Sequence, residues 1–382
     1  MQINKKNLLP PLSLYIHIPW CIKKCPYCDF HSLKNAHKIS EKKYLRALIK
    51  DLRNDQTITS KRPIQSIFIG GGTPSLLKTT TIRNLIKKIK KITFISKKVE
   101  ISIEINPDID EQNKLIKYIK YGINRLSIGV QTFNDYLLKQ IQREYTKQKS
   151  IDLIQLTRNI LNRNLNIDII YGLPKQSIQD ALNDLKTTID LKPEHISWYQ
   201  LDVEPNTKFY IQDIKLPSIS KIEKIHQEGQ KILKQAGYTQ YEISSYARKK
   251  KYQCIHNLNY WNFGDYIGIG CGAHGKITQK DQQVMRLIKT KSDAVYAEGL
   301  YLQKKYTVPK KNLPLEFFLN QFRLLKPILY KDFETMTQIN KKKIEKKILT
   351  ATIKKYLTSD DCSWKVTNYG RKKLNSLLSL FL

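Results

Sequence analysis

Three cysteines stand within eight residues near the start of the chain, in the segment Cys21-Ile-Lys-Lys-Cys25-Pro-Tyr-Cys28. Thiolates on a short loop are the usual ligands of iron–sulfur clusters, and this C-x3-C-x2-C spacing satisfies three of the four irons of a [4Fe-4S] cubane. The open iron can chelate the amino and carboxylate groups of S-adenosylmethionine, and an electron from the cluster then cleaves the sulfonium to an adenosyl radical. The spacing therefore predicts a redox-active cofactor site.

A structural zinc site is the competing interpretation of these cysteines. Zinc is usually held by four ligands, with cysteine pairs spaced C-x2-C. Asp29 and His31 are close enough in sequence to complete such a set, but the three-then-two spacing fits zinc poorly. We therefore expect an oxygen-sensitive cluster on Cys21, Cys25 and Cys28.

A run of glycines, Gly70-Gly71-Gly72-Thr73-Pro74, follows the second β-branched stretch of the chain. Because glycine has no side chain, the backbone here can approach a ligand closely and hydrogen-bond to it. A tight turn is the alternative interpretation, but a turn needs only one or two glycines. We predict that Gly71, Gly72 and Thr73 contact the methionine amino group of the cofactor.

Further polar side chains fall at or near the ends of later β-branched stretches. Glu104 and Asp168 could bind the ribose hydroxyls or the amino group of the cofactor, Arg143 could face its carboxylate, and Gln131 ends another stretch. Taken singly, each is more typical of a solvated or paired charge. Several of them at successive strand ends converge on one place, and such convergence is typical of a binding site.

The elements that position these residues alternate between β-branched runs and longer amphipathic stretches from residue 12 to about residue 205. This alternation predicts βα units around a parallel sheet. Six such units are fewer than a full eight-unit barrel has, and polar residues at the carboxyl ends of strands favour a barrel mouth, although an open doubly wound sheet also binds ligands there. The predicted strands are Leu12–Pro19, Ser66–Gly71, Val99–Pro107, Arg125–Gln131, Asn166–Tyr171 and His195–Val203. The predicted helices between them are Glu41–Leu52, Thr79–Lys91, Asp110–Tyr121, Ser150–Asn162 and Ile178–Leu191.

The alternation fades after Pro205. A helix is predicted over Ser220–Ala236, followed by a glycine- and aromatic-rich stretch over Tyr238–Gly275. The last part predicts helices, a hairpin around Ser363–Val366 and a closing helix over Asn368–Phe381, an order that suggests a winged-helix-like module. We therefore divide the chain into a barrel core (1–205), a barrel extension (206–312) and a C-terminal domain (313–382).

The net charge of +34 would ordinarily suggest a polyanionic partner. Only 12 of the 67 basic residues are Arg, and Ile and Asn are also abundant. Lys, Ile and Asn share A/T-rich codons, so genomic base composition can load the surface with lysine without a binding function. We therefore expect no specific nucleic-acid partner.

The remaining cysteines, Cys254, Cys271 and Cys362, are scattered, which is unlike a secreted disulfide framework and favours a reducing compartment. The N-terminus is a poor match to a signal peptide because Pro10, Pro11 and Pro19 interrupt its apolar stretch and no small-residue cleavage site follows. No apolar run approaches the roughly 20 residues that span a bilayer. We expect a cytoplasmic protein.

Taken together, these segments resemble the HemW heme chaperones, a radical S-adenosylmethionine family related to oxygen-independent coproporphyrinogen III oxidase. The resemblance runs from about Leu8 to the C-terminus. The matching phrases are Tyr15-Ile-His-Ile-Pro-Trp-Cys, Cys25-Pro-Tyr-Cys28-Asp-Phe, Ile69-Gly-Gly-Gly-Thr-Pro-Ser, Ser127-Ile-Gly-Val-Gln-Thr-Phe, Asp168-Ile-Ile-Tyr-Gly-Leu-Pro, His256-Asn-Leu-Asn-Tyr-Trp and the segment from Phe263 to Gly275.

This resemblance implies an α/β fold, a radical S-adenosylmethionine partial (βα)6 TIM-like barrel with a smaller winged-helix-like C-terminal domain. It implies a [4Fe-4S] cluster, S-adenosylmethionine and heme as ligands, with Cys21, Cys25 and Cys28 on the cluster. The positions that match the cofactor-binding residues of the oxidase relatives are Tyr15, Tyr27, Gly71, Gly72, Thr73, Glu104, Gln131, Arg143 and Asp168.

With the resemblance, His256 becomes the candidate axial ligand of heme iron. It stands among aromatic residues, and heme needs both a nitrogen donor and flat apolar surface. The alternative is that His256 packs internally and hydrogen-bonds a backbone carbonyl. Cys254 and His274 are rival iron ligands.

One departure bears on the reaction. The oxidases resemble C-x3-C-x2-C-x-C, whereas position 30 of this chain is Phe. The favoured function is therefore a heme chaperone that passes heme to an acceptor, such as a membrane-associated respiratory enzyme, and that can form a homodimer. A radical oxidase of coproporphyrinogen is the first alternative, and a tRNA-modifying radical enzyme is the second.

Overall fold

A computed structural model describes residues 9–34, 39–107, 112–161 and 164–382 of the chain. The strands in this part are β1 (Leu12–Ile18), β2 (Trp20–Cys21), β3 (Leu33–Lys34), β4 (Ile64–Gly71), β5 (Ile95–Ile105), β6 (Arg125–Gln131), β7 (Leu165–Tyr171), β8 (His195–Gln200), β9 (Thr239–Gln240), β10 (Ser245–Ala247), β11 (Asp265–Ile269), β12 (His274–Thr278), β13 (Val284–Lys289), β14 (Leu302–Thr307), β15 (Ile328–Leu329), β16 (Leu357–Ser359) and β17 (Ser363–Val366).

Twelve of these strands form one sheet, which helices cover on its outside, and further helices build most of the C-terminal part. They are α1 (Glu41–Gln56), α2 (Thr79–Ile92), α3 (Gln112–Lys120), α4 (Asp135–Gln140), α5 (Lys147–Leu161), α6 (Ile178–Asp190), α7 (Lys208–Ile211), α8 (Ile219–Gln235), α9 (Ile255–Trp261), α10 (Asp293–Ala297), α11 (Leu313–Gln321), α12 (Tyr330–Thr337), α13 (Glu345–Ile353), α14 (Asn368–Lys372) and α15 (Leu374–Leu378).

The six predicted βα units are confirmed. Strands β1, β4, β5, β6, β7 and β8 pair in parallel in that order. All seven residues of β6 are buried, including the polar Arg125, Ser127 and Gln131, because helices cover one face of the sheet and the other face lines the interior. The helices carry apolar stripes, as in α2, where Ile82, Leu85, Ile86 and Ile89 are buried at helical spacing.

Residues beyond 205 extend this sheet at both edges. Strand β11 pairs in parallel with β1 and continues through antiparallel β12, β13 and β14, while β10 and β9 follow β8 on the other side. The fading of the βα alternation after Pro205 thus marks a change from parallel to mainly antiparallel pairing. The first residues of the predicted helix Asp110–Tyr121 and the last of Ser150–Asn162 lie outside the described residues, as does Leu8.

The C-terminal part has the winged-helix order of helix, short strand, two helices and a hairpin, from α11 through β15, α12 and α13 to β16 and β17. The prediction of one closing helix over Asn368–Phe381 is wrong. It divides at Lys373 into α14 and α15. Gly370 packs so closely that a Cβ would lie 2.2 Å from the Tyr356 carbonyl oxygen, which fixes the chain against the preceding loop.

The C-terminal core is aromatic and contains Phe318, Phe333 and Trp364, but it also takes in Phe263 and Val284 from the preceding segment. The domain division at residues 205 and 312 therefore stays a prediction. Within the described ranges, none of the helices has the length and apolar character needed to cross a bilayer.

Candidate functional site

The three clustered cysteines follow β1 beside the carboxyl ends of the parallel strands: Cys21 ends β2, and Cys25 and Cys28 lie on the loop between β2 and β3. Cys21 is buried, whereas Cys25 and Cys28 are half-buried and joined by a turn in which the Cys28 N–H donates to the Cys25 carbonyl over 3.2 Å. Burial, with smaller contributions from the neighbouring thiols Cys25 and Cys21, raises the pKa of Cys28 to about 11. Burial also raises the pKa of Cys21. Three ionised thiolates here therefore need a bound cationic group.

Among the residues the structure describes, no three His, Cys, Asp or Glu side chains come together as a site for a single metal ion. The choice between a zinc ion and a cluster on this loop therefore rests on the spacing of the cysteines and stays a prediction. A cubane fits the donor set, because its irons are held by thiolates that each bind a separate corner.

A cavity of about 340 Å³ opens at this end of the barrel, within the size range of small-molecule sites. The predicted residues that line it are Cys21, Cys25, Cys28, Tyr27, Gly71, Gly72, Thr73, Glu104, Gln131, Arg143 and Asp168. The structure thus brings together most of the residues that the sequence placed at separate strand ends. Tyr15 and His256 are the two predicted residues outside this lining.

Two carboxyl groups lie deep in the cavity. Glu104 Oε2 accepts the Gly71 N–H over 3.0 Å, and Asp168 accepts from Ser127 Oγ over 2.9 Å and from Asn166 Nδ2 over 2.8 Å. Burial raises the pKa of Glu104 to about 8, and the charge of Asp168 adds to the effect. A cation bound between these two carboxyl groups would offset both the burial and the repulsion that raise the pKa of Glu104.

Arg143 provides the opposite charge. One guanidinium nitrogen, Nη2, donates to the Tyr27 hydroxyl over 3.1 Å. Its Nε is buried and, within the described residues, has no hydrogen-bond partner. A buried N–H without an acceptor is costly, so this donor suits an anionic group such as the carboxylate of an amino acid.

The three glycines each have a packing reason in the chain itself. A Cβ would lie 2.8 Å from Glu104 Oε2 at Gly70, 2.6 Å from the His17 ring at Gly71 and 2.6 Å from the Trp20 carbonyl at Gly72. Gly71 also has a φ of +115°, which disfavours other residues. Close packing within the chain therefore gives each glycine a structural reason, and their contact with a ligand stays a prediction.

His256 and Tyr15 lie beneath the cavity, further toward the amino ends of the strands. The His256 ring packs at centroid distances of 5.1 Å from Phe68 and 6.3 Å from Tyr15, and its Nδ1 is 3.2 Å from Ser66 Oγ. Its partner is thus a serine hydroxyl and not a backbone carbonyl. Burial lowers the pKa of His256 to about 4. Its role as a heme ligand stays a prediction.

The rival iron ligands differ in their surroundings. Cys254 is buried, lines the cavity and lies with its Sγ 3.5 Å from Glu100 Oε1. Burial raises its pKa to about 12, so the thiol is protonated. His274 is exposed at the start of β12, on the far side of β11.

Sequence reasoning missed several polar residues of the cavity. Ser127, Asn166 and Ser197 line it together with Asp168, and Tyr199 donates to Gln131 Oε1 over 3.2 Å. The sequence contained a signal for Asn166. Successive side chains of a strand point to opposite faces, so Asn166 and Asp168, two residues apart, share one face of β7.

Comparison with known proteins agrees with this architecture. The sequence profile of the Radical SAM superfamily matches residues 15–187. A Buchnera aphidicola (Schizaphis graminum) protein named heme chaperone HemW is 53% identical over 98% of this chain and 99% of its own length. The Escherichia coli heme chaperone HemW is 43% identical over 98% of this chain and 99% of its own length.

Among solved structures, the Escherichia coli coproporphyrinogen III oxidase HemN, described as a radical SAM enzyme, superposes with a TM-score of 0.82 at 25% identity. The match covers 98% of this chain and 90% of the oxidase. The α/β fold with a C-terminal domain is confirmed by this likeness. Since the similarity to curated HemW proteins extends over almost the whole chain, the chain belongs to the HemW heme chaperone family of radical SAM proteins.

Proposed function

We propose that this chain binds heme and passes it to an acceptor protein, while it carries a [4Fe-4S] cluster on Cys21, Cys25 and Cys28 and an exchangeable S-adenosylmethionine. The observation that carries the proposal is the 53% identity to a HemW chaperone over 98% of the chain. The acceptor is proposed to be a membrane-associated respiratory enzyme, the location cytoplasmic and the assembly a homodimer.

The cavity residues support the cofactor half of the proposal. Glu104 and Asp168 would accept hydrogen bonds from the ammonium group or ribose hydroxyls, and the unpaired Nε–H of Arg143 would meet the carboxylate. The loop and glycine run would exclude water, which strengthens each of these polar contacts. When bound, the cluster supplies an open iron and a source of one electron.

His256 is the proposed axial ligand of the heme iron. In the closed arrangement its ring is covered by Phe68 and Tyr15, so heme binding needs the segment around His256 to move. His256→Ala should abolish the heme spectrum, whereas Cys254→Ser and His274→Ala should keep it. If only Cys254→Ser altered the spectrum, the thiol would be the ligand.

A coproporphyrinogen oxidase is the second candidate, because the HemN structure superposes on 98% of this chain. Against it, Phe30 occupies the position where the oxidases have a further cysteine. Phe30 is 61% exposed and lies at the mouth of the cavity. An aromatic side chain at this point cannot supply a thiolate.

One preparation can separate the two functions. The protein is reconstituted anaerobically with iron and sulfide, then divided between a heme titration and a turnover assay with coproporphyrinogen and S-adenosylmethionine. A chaperone binds heme stoichiometrically, passes it to an acceptor and forms no protoporphyrinogen. Decarboxylated product together with cofactor cleavage would instead establish the oxidase.

A further inference from the structure

A continuous chain of buried hydrogen bonds joins the carboxyl group of Asp168 to the backbone of Cys254. Asn166 Nδ2 donates to Asp168 Oδ1 over 2.8 Å, and Asn166 Oδ1 lies 2.5 Å from His195 Nδ1. On its other side, His195 Nε2 lies 2.7 Å from the Tyr241 hydroxyl, which accepts the Cys254 N–H over 3.2 Å. The chain therefore links two points on the wall of one cavity, which Asp168 and Cys254 both line.

The hydrogen-bond partners determine the tautomer of His195. The amide nitrogen of Asn166 donates to Asp168 and to Ser127 Oγ, so the amide oxygen faces His195 and can only accept. His195 therefore carries its proton on Nδ1, and Nε2 accepts from the Tyr241 hydroxyl. Burial, together with the charge of Arg125, lowers the pKa of His195 well below its ordinary value, so the ring is neutral.

The series of hydrogen bonds that starts at Asp168 ends at the segment Cys254–His256, which lies at the start of helix α9. Several contacts hold the segment closed. The Cys254 N–H donates to Tyr241, the His256 N–H donates to Glu100 Oε1 over 3.2 Å, and the His256 ring packs against Phe68. The contacts of Cys254 Sγ with Glu100 and of His256 with Ser66 and Tyr15 add to these. A heme iron cannot reach the His256 ring while these contacts persist. Opening the segment would break the link between Cys254 and Tyr241.

We propose that His195 is a positioning residue that couples the two sites: S-adenosylmethionine bound at Asp168 holds the hydrogen-bond chain in place, keeps the Cys254–His256 segment closed and lowers its affinity for heme. The inference rests on the proposed function, in which His256 ligates the heme iron. Two states are involved, the closed segment and an opened segment that binds heme, and a ligand that favours one of them shifts the population.

The test is a heme titration of the reconstituted full-length protein with and without saturating S-adenosylmethionine. We expect the cofactor to weaken heme binding by about 5-fold or more, the lower end of typical coupling between sites. Tyr241→Phe removes the hydroxyl that joins His195 to Cys254, and heme affinity should then no longer depend on the cofactor. Tyr238→Phe is the matched control. It removes a buried hydroxyl that donates to the Pro193 carbonyl and takes no part in the hydrogen bonds that link Asp168 to Cys254.

Two variants of His195 separate its hydrogen bond to Asn166 from its hydrogen bond to Tyr241. Asn places an amide nitrogen near the position of the imidazole Nδ1, so His195→Asn should keep cofactor affinity but lose the coupling. Gln places its amide near Nε2, so His195→Gln should weaken cofactor binding. Nitrogen-15 spectra of the imidazole should show the Nδ1–H tautomer in the wild type and in Tyr238→Phe.

Four outcomes would overturn the proposal. An Nε2–H tautomer, or a cofactor effect on heme that persists in Tyr241→Phe, would remove the coupling and leave the chaperone function standing. Equal heme affinity with and without cofactor in the wild type would do the same. Failure of the wild type to bind heme at all would instead remove the proposed function, and the coupling with it.

Discussion

At the scale of single residues, the cavity combines ionisable groups that water solvates poorly. Burial raises the pKa values of Cys21, Cys28 and Glu104, and the Nε–H of Arg143 has no partner among the residues that the structure describes. Such groups cost free energy in an empty cavity, and a ligand of complementary charge removes the cost. Perturbed ionisable residues that share a cleft are typical of functional sites.

Replacing Cys21, Cys25 and Cys28 together by Ser should remove the iron and the charge-transfer absorption of the reconstituted protein, because serine does not supply a thiolate. Cys362→Ser is the control, since Cys362 is exposed and far from the loop in sequence. Iron analysis and visible absorption measure the result. A triple variant that kept all four irons would place the cluster elsewhere.

Glu104 should report cofactor binding through its proton. With a pKa of about 8 the carboxyl group is largely protonated at pH 7. A cation bound beside it lowers this pKa, so binding of S-adenosylmethionine should release a proton. Calorimetry in buffers of different ionisation enthalpy measures the release, and Glu104→Gln should reduce it and weaken cofactor binding while keeping heme affinity. Equal loss of both ligands would point to misfolding or to one merged site.

The same carboxyl group should make the cofactor-free protein less stable as pH rises. The folded state holds this proton more tightly than the unfolded state, so between the ordinary pKa of 4.5 and the folded value of about 8 the folded state binds more protons. The free energy of unfolding should therefore fall with rising pH across this window. The pKa of Asp168 is also raised in the folded state. Glu104→Gln should therefore reduce the fall of the unfolding free energy with pH without removing it. Urea unfolding at several pH values measures the slope.

At the scale of elements, a buried ion-pair cluster joins helix α1 to the sheet extension. Lys289 Nζ on β13 lies 2.5 Å from Asp51 Oδ1 and 2.7 Å from Asp55 Oδ2, and the Tyr296 hydroxyl donates to Asp51 Oδ2 over 2.6 Å. The three charged side chains are almost fully buried. This cluster fixes α1 against β13 and the segment that contains Tyr296.

Lys289→Met should destabilise the protein by about 3–5 kcal/mol, because it leaves two carboxyl groups buried without a cation. The loss should be smaller at pH 5 than at pH 8. Burial raises the pKa of Asp55 to about 6, and removing the lysine raises it further, so the carboxyl groups are protonated at the lower pH. Urea unfolding at both values measures this.

A control uses the exposed pair of Lys43 and Glu298, in which both side chains are about half or more exposed to solvent. Lys43→Met should cost no more than about 1 kcal/mol at either pH, as is typical of surface ion pairs. If Lys289→Met lost the same free energy at both pH values, the two carboxyl groups would not be titrating in the folded state.

At the scale of the whole molecule, the net charge of +34 favours nonspecific association with polyanions. We expect tRNA and an unrelated RNA of equal length to bind equally, and both affinities to fall steeply between about 50 and 200 mM salt. Filter binding over a salt series measures this. Binding at physiological salt that preferred tRNA would revive the RNA-modifying alternative.

The sequence by itself determined the local chemistry and the strand order. The alternation of short β-branched stretches with longer amphipathic stretches made the six central strands and the helices between them predictable, and the C-x3-C-x2-C spacing predicts cluster ligands without reference to distant residues. The residues at the strand ends were predictable as a set, because the carboxyl ends of parallel strands meet at one mouth.

Only the tertiary structure decided which residues contact one another across that mouth. The packing of Gly72 against the Trp20 carbonyl, the enclosure of His256 by Phe68 and Tyr15, and the chain from Asp168 through His195 to Cys254 each join segments far apart in sequence. The pairing of β11 with β1 likewise joins two segments about 250 residues apart in sequence at one edge of the parallel strands. Local propensity cannot specify such contacts, because they depend on how the sheet twists and on which strands become neighbours.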